Sequence, residues 1–360
     1  MGKNWRKFTR LLPALLLGVC LMPKSAVGAV NLGANTVDVI FTGNAEDNKD
    51  FEGVTASVDF YKLADAVEDP QYDRYGYDFR EGFEKIADEE ELKDPTAEVW
   101  SKIGDRASTL IFGENPVSIT PVTKKFPLSE GDKCEMESGL YLVIPHDDNG
   151  TPVMGKDGKV TSYIDTAIFR YVYSPVIVTM PSTHERTDEA AMTSDKPGWT
   201  NNIKIVLKPE KEYRLGQLRI VKSLTSFESR TAATFVFSVD AWLPQDVDEN
   251  GNPTKYCYNN AVSITFNPGS LEDQDVVLDG IPVSAIVEVK EIYSGASYKL
   301  INTEWSADDH VISAEDILTV TFTNEHTHED RTGYGINNHF DKVDDNWQWL
   351  NPNEQGGEGE

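Results

Sequence analysis

The chain has 360 residues, enough for two or three domains that each bury a core of their own. Its 60 acidic residues against 33 basic ones give a net charge of −27, which argues against nucleic acid and anionic membrane as partners. Three cysteines in this length exclude a disulfide-stapled scaffold.

Residues 1–29 read as a secretory signal. Lys3, Arg6, Lys7 and Arg10 form a basic start, Leu11 to Met22 an apolar stretch, and Val27-Gly28-Ala29 a small-residue cleavage site. The apolar stretch contains Pro13 and is too short to be a good spanning helix. Cys20 follows Leu17-Gly18-Val19, a poor site for a lipid anchor. Cleavage removes Lys24 and the four basic residues above but no acid, so the net charge becomes −32 (−27 − 5). The expected product is secreted or surface-exposed, keeps only Cys134 and Cys257, and meets no membrane once the signal is gone.

In the first domain, residues 30–209, alternating apolar and polar residues predict strands at Val37–Phe41 and Val54–Tyr61. Helical spacing follows over Phe79–Ala87 and Thr96–Ile111, with Pro95 as a first-turn residue, so Tyr72–Phe112 is predicted to be a largely helical insertion. Further strands are predicted at Val117–Ile119, Lys124–Leu128, Gly139–Ile144, Ala167–Tyr173, Val176–Met180 and Ile203–Leu207. Asp147-Asp148-Asn149-Gly150 and Lys156-Asp157-Gly158-Lys159 carry turn chemistry. The charged stretch Lys208–Glu212, which contains Pro209, reads as an interdomain linker.

From Leu215 to about Asn324 the helical signal all but vanishes. Strands are predicted at Leu218–Lys222, Ala233–Ala241, Tyr256–Tyr258, Ala261–Phe266, Asp275–Leu278, Ala285–Tyr293, Tyr298–Ile301 and Leu318–Thr323, the pattern of an all-β sandwich. Residues 326–360 form a polar, acidic tail. In it Phe340, Trp347 and Trp349 flank a hairpin turn at Val343–Asn346, and the last ten residues are expected to be disordered. No wall-sorting motif is expected to act at the C-terminus.

Three strands of the second domain put a reactive side chain where an aliphatic one is expected. Lys222 shares parity with Leu218 and Ile220, Glu291 with Val287 and Val289, and Asn324 with Val320 and Phe322, so strand geometry points all three inward. A buried amine has to be paired, neutralised or converted. If the three meet, desolvation leaves Lys222 a neutral nucleophile and Glu291 a neutral acid, able to polarise the Asn324 carbonyl and move protons. Glu288, the competing acid, has the opposite parity.

The order and spacing of Lys222, Val289-Lys290-Glu291 and Phe322-Thr323-Asn324 resemble the Cna B-type domains of Gram-positive surface proteins and pilins, over residues 215–325. The resemblance implies a transthyretin-like sandwich whose lysine and asparagine join in a spontaneous isopeptide bond assisted by the glutamate. Val58–Ala64, Ser138–Val143, Tyr173-Ser174-Pro175-Val176 and Met180-Pro181 are similar to the N-terminal domain of pilin-type proteins. That domain's own triad is replaced by Phe41, Pro145 and Lys208, so no bond is expected there. Trp199 and Leu207-Lys208-Pro209 resemble the pilin polymerisation motif, but the proline follows the lysine and no tyrosine precedes it.

The expected fold is therefore mostly β: two β-sandwich domains (Ig/transthyretin-like) in tandem, the first with a helical insertion. The resemblance implies a structural or adhesive surface protein with no cofactor or metal, whose partners are other surface or pilus subunits or extracellular ligands. Two alternatives stand beside it. One is a ligand-binding adhesin using the helical insertion or the aromatic tail; the other is a secreted hydrolase, for which no motif is present. Asp246-x-Asp248-x-Asn250-Gly251 resembles the start of a calcium loop, but Cys257 occupies the place of the essential acid, and the stretch reads as a hairpin loop. His326, His328 and His339 read as solvated tail residues.

Overall fold

The computed structural model describes residues 30–68, 75–93, 95–129, 131–184, 198–227, 231–294, 297–327, 339–343 and 346–350, with only the backbone described for 93, 183–184, 198, 339–343 and 346–350. The signal segment and the last ten residues lie outside these. The chain divides into two compact units at Arg214/Leu215 and is mostly β.

The first unit comprises β1 (Asn35–Ile40), β2 (Ala56–Glu68), β3 (Tyr75–Phe79), α1 (Glu89–Lys93), α2 (Ala97–Phe112), β4 (Val122–Phe126), β5 (Cys134–Met136), β6 (Gly139–His146), β7 (Val153–Met154), β8 (Val160–Asp165), β9 (Phe169–Tyr173), β10 (Val176–Met180), β11 (Ser182–His184), β12 (Gly198–Thr200), β13 (Asn202–Val206) and β14 (Glu210–Tyr213). Its central sheet runs β10-β6-β2-β3, with β4 also paired to β2. β2 and β6 are buried on both faces. Val58, Phe60, Tyr141 and Val143 face one core with Val37, Val39, Ile203 and Tyr171. Tyr61, Leu63, Leu140 and Leu142 face a second core closed by Trp100, Ile103 and Ala107 of α2. Central strands covered on both sides lose the simple polar alternation of a half-exposed sheet.

Several expectations for this unit are corrected. Tyr75–Phe79 is a strand paired to β2, not part of a helical insertion; Tyr75, Tyr77 and Phe79 alternate with period two, as a strand requires. Arg80–Ala87 forms turns, and the i, i+3, i+4 positions Phe83, Ile86 and Ala87 are buried without a helix. The long helix α2 is present, but its cap is Thr96, whose Oγ1 accepts the Val99 N–H at 3.3 Å, so Pro95 lies just outside it. Val117–Ile119 is not a strand. The proposed linker is largely β14: Glu210–Tyr213 pairs with β9, and Lys211 Nζ reaches Asp47 Oδ1 at 2.6 Å and Asp50 Oδ2 at 2.8 Å. An edge strand exposed on its outer side tolerates the charges that made this stretch look like linker.

The second unit is a sandwich of β15 (Leu215–Leu224), β16 (Ala233–Trp242), β17 (Tyr258–Phe266), β18 (Gln274–Pro282), β19 (Ile286–Tyr293), β20 (Tyr298–Trp305) and β21 (Leu318–His326). One sheet is ordered β18-β15-β21-β20 and the other β17-β16-β19. Buried and part-exposed residues alternate along β16 and β21, each strand giving one face to the core. Phe235, Phe237, Val239, Val287, Val320 and Phe322 fill the space between the sheets. Tyr256 precedes β17 instead of belonging to a strand. Beyond the sandwich, β22 (His339–Val343) and β23 (Asn346–Leu350) pair as an antiparallel hairpin about the expected turn. Among the described residues no helix is long and apolar enough to cross a membrane.

Candidate functional site: a buried amine, a carboxamide and a carboxyl

The first and last strands of the sandwich, β15 and β21, are parallel neighbours, with Lys222 beside Phe322 and Leu224 beside Asn324. Lys222 and Asn324 therefore project from adjacent strands into one core. β19 belongs to the facing sheet, where Glu291 pairs with Phe237 of β16. A register shift follows at once, Val236 pairing with Tyr293, so Ile292 is the extra residue of a bulge beside Glu291. A second shift on β20, between Leu300 and Asn302, lies beside Asn324, which pairs with Leu300.

The three side chains meet. Lys222 Nζ donates to Asn324 Oδ1 at 2.5 Å and to the Phe322 carbonyl at 3.0 Å, and it lies 3.8 Å from Glu291 Oε1. Asn324 Nδ2 donates to Glu291 Oε1 at 2.8 Å. The side chains of Lys222 and Glu291 are 0% and 1% exposed, and Asn324 is wholly buried, so water does not solvate any of them. The Phe235 ring lies 4.8 Å from Nζ.

In this dry pocket both titratable groups move toward neutrality. Burial lowers the Lys222 amine to about 8, with Glu291 opposing that shift. Burial likewise raises Glu291, against the pull of Lys222 and the Asn324 hydrogen bond. Hydrogen-bond supply agrees with that direction. A neutral amine has two N–H bonds, matched here by two neutral acceptors, the Phe322 carbonyl and Asn324 Oδ1. Glu291 Oε2 is buried and meets no hydrogen-bond partner among the described residues. A bare oxygen costs far less on a neutral carboxyl than on a carboxylate.

One detail differs from the sequence expectation. Glu291 contacts the carboxamide nitrogen, while the carbonyl oxygen faces the amine. The acid therefore stands at the leaving group; polarising the carbonyl from Glu291 requires the carboxamide to turn by half a revolution. Glu288 faces solvent and pairs with Lys290 at 2.7 Å, away from the triad.

The remaining sequence candidates lie elsewhere. Asp248 Oδ1 accepts the N–H groups of Asn250 and Asn252, both at 2.8 Å, so the calcium-like stretch is a loop capped by its own aspartate. No cluster of metal-ligating side chains occurs among the described residues. Phe41 stacks on Phe51, Pro145 sits in β6 opposite Val58, and Lys208 is exposed. The His326 ring meets Tyr298 edge-on, and His328 lies outside the described residues. A buried pair in the first unit, Asp59 and His146, was not expected from sequence. The two are far apart along the chain, and only the register of β2 against β6 brings them together.

No family model matches the chain, and no curated protein matches it. Among solved structures it is similar to the major pilin protein T-13 from Streptococcus pyogenes, at 12% identity over 84% of this chain and 99% of that one, with a TM-score of 0.22. It is similar to a streptococcal ancillary pilin at 13% identity, over 81% of this chain and 69% of that one, with a TM-score of 0.24. A third likeness is to a Mobiluncus mulieris adhesin containing intramolecular disulfide, isopeptide and ester bond cross-links, at 11% identity over 76% of this chain and 85% of that one, with a TM-score of 0.23.

Proposed function

We propose that the protein is an exported, pilin-like structural or adhesive component of the cell surface, not an enzyme acting on a separate substrate. Its second unit is closed by a self-formed amide bond between Lys222 and Asn324. The observation that carries this reading is the fully buried Lys222 amine, 2.5 Å from Asn324 Oδ1, with Glu291 2.8 Å from the carboxamide nitrogen.

The chemistry balances without a co-reactant. The neutral Lys222 amine attacks Asn324 Cγ, forming the new C–N bond. Glu291, as the neutral acid, delivers its proton to Nδ2 as the Cγ–Nδ2 bond breaks, and one ammonia leaves. The amine gives its surplus proton back to Glu291, which ends as it began. Burial serves this sequence twice, by shifting the amine toward the form with a free lone pair and the acid toward its protonated form.

A bond between the first and last strands of a sandwich puts tension applied to the two ends onto a covalent link instead of a hydrogen-bond ladder. That suits an extracellular scaffold with free cysteines: Cys134 and Cys257 are both unpaired. The signal-like residues 1–29 support export.

Two experiments test the two halves of the reading. Proteolysis and peptide mass mapping are expected to yield a branched peptide joining the segments around Lys222 and Asn324; two separate linear peptides overturn the cross-link. Antibody labelling of intact cells is expected to detect the second unit, and labelling only after lysis overturns the surface role.

A further inference from the structure

We propose that Asp59 and His146 form a pH-dependent latch that clasps β2 to the end of β6 in the first unit. Asp59 lies on the inner stretch of β2, and His146 is the last residue of β6, in register with Ser57. Their side chains are 10% and 11% exposed, with His146 Nε2 3.5 Å from Asp59 Oδ2. Asp59 also accepts the Thr123 hydroxyl at 2.5 Å, from β4, and the Tyr61 hydroxyl at 3.3 Å. With donors on both oxygens, it is an ionised carboxylate.

The partners of the imidazole decide its own state. Nδ1 lies 2.7 Å from the carbonyl oxygen of Asp147, which can only accept, so Nδ1 carries a hydrogen. Nε2 lies 3.5 Å from a carboxylate oxygen, which also only accepts, a contact that favours a hydrogen there too. Both nitrogens protonated means an imidazolium, and at this depth an imidazolium needs the counter-ion that Asp59 supplies.

Few other charges face the pair. Lys125 on β4 is exposed and in register with Ser57. The Asp147 carboxylate is engaged by the N–H groups of Asn149, Gly150 and Asp165, at 2.8, 2.6 and 2.7 Å. Tyr61 stays a neutral phenol, its ionisation pushed higher by burial and then by Asp59.

The directions of titration agree. The Asp59 contact raises His146, with burial opposing and the Asp147 carbonyl assisting. Burial alone pushes Asp59 up, but His146, Thr123 and Tyr61 outweigh it and hold the carboxyl below its ordinary range. A raised histidine stabilises the fold fully below its ordinary value of 6.5 and loses that contribution as pH climbs through the folded value. A depressed aspartate is lost at the other end, as pH falls below 3.8 through its own folded value. The latch is therefore shut in mildly acidic surroundings, between the ordinary values of the two groups. Rising pH removes the ring's charge and weakens the clasp, and with it the support that the ring gives the 147–150 turn through the Asp147 carbonyl.

Heteronuclear NMR of the full chain with labelled histidine tests this, the His146 signal being assigned from its loss in His146→Gln. At pH 6 both ring nitrogens are expected at protonated shifts, with a midpoint above 6.5. The Asn149 and Gly150 amides are expected to lose protection above that midpoint, measured against their intrinsic base-catalysed exchange rates. Asp59→Asn should lower the midpoint and remove the alkaline loss of stability in the first unit. A His146 midpoint at or below 6.5, or an unchanged midpoint in Asp59→Asn, overturns the latch. Should Asp59→Asn fail to fold, the titration of the unmodified protein still decides.

Discussion

Each unit buries one lysine in a strand among the described residues, and the two amines are handled by opposite chemistry. Lys62 of β2 sits between two carboxylates, Asp65 Oδ1 at 2.5 Å and Glu137 Oε2 at 2.7 Å, which are 47% and 81% exposed. Lys222 of β15 has a carboxamide and a backbone carbonyl for close partners, and its one carboxyl is as buried as itself. An amine beside hydrated carboxylates forms an ion pair and stops there, because a carboxylate is a poor electrophile. An amine beside a carboxamide in a dry pocket faces a carbonyl carbon with a leaving group attached. Burial alone does not make a lysine reactive; the charge and exposure of its partners do.

The largest expected effect comes from removing the reactive amine. Lys222→Met keeps the volume and loses the proposed bond, which would close a loop with a separation of 102 residues. A loop-closure estimate for about 100 residues gives about 4–5 kcal/mol, readable in chemical denaturation of the second unit. Glu291→Gln should leave a folded unit with both reacting groups but without the proton carrier, so its mass should stay unshifted for far longer than that of the unmodified chain.

Asn324→Ala loses the same bond and adds a smaller, pH-dependent effect, because it leaves Lys222 buried and unlinked. Its amine titrates from 10.5 in the unfolded chain to about 8 in the folded one. Stability should therefore fall as pH drops from 10.5 through about 8, since the unfolded chain then takes up the extra proton. Denaturation midpoints at several pH values check it, and a flat profile across that range contradicts the buried neutral amine.

In the first unit the effects shrink. Thr96→Ala removes the cap of α2 and should cost about 1 kcal/mol. Lys62→Met breaks an ion pair whose acids are already well hydrated and should change stability by under about 1 kcal/mol with no change in cross-linking. A loss in Lys62→Met as large as that in Lys222→Met would break the contrast between the two lysines.

What the sequence disclosed follows the same division. In the second unit β15, β19 and β21 each turn one face to the core, so alternation around Lys222, Glu291 and Asn324 reports direction faithfully. In the first unit β2 and β6 are buried on both faces, and parity along them says little about which core a residue meets. β3 lies inside the stretch 72–112 that reads as largely helical, although its aromatic residues alternate. β14 reads as linker in the sequence because it is charged and follows Pro209, and only its pairing with β9 reveals it. The bulge beside Glu291 and the contact of that acid with the amide nitrogen, not the oxygen, depend on register and rotamer, which no spacing rule encodes.

Gly139 shows how closely the Lys62 site is packed. A Cβ there would lie 2.4 Å from the Ala64 carbonyl oxygen and 2.8 Å from Lys62 Cε. Gly139→Ala is thus expected to push the Lys62 stem aside and to disturb the pairing of β6 with β2, whereas the second unit's cross-link should form at its usual rate. That outcome keeps the two sites independent.

The central claim is tested most directly by the intact mass of the mature, folded protein. The account predicts a mass one ammonia below that of the sequence, with the full calculated mass restored in Lys222→Met and in Asn324→Ala after allowing for each substitution. A folded, unmodified protein at its full calculated mass would contradict it.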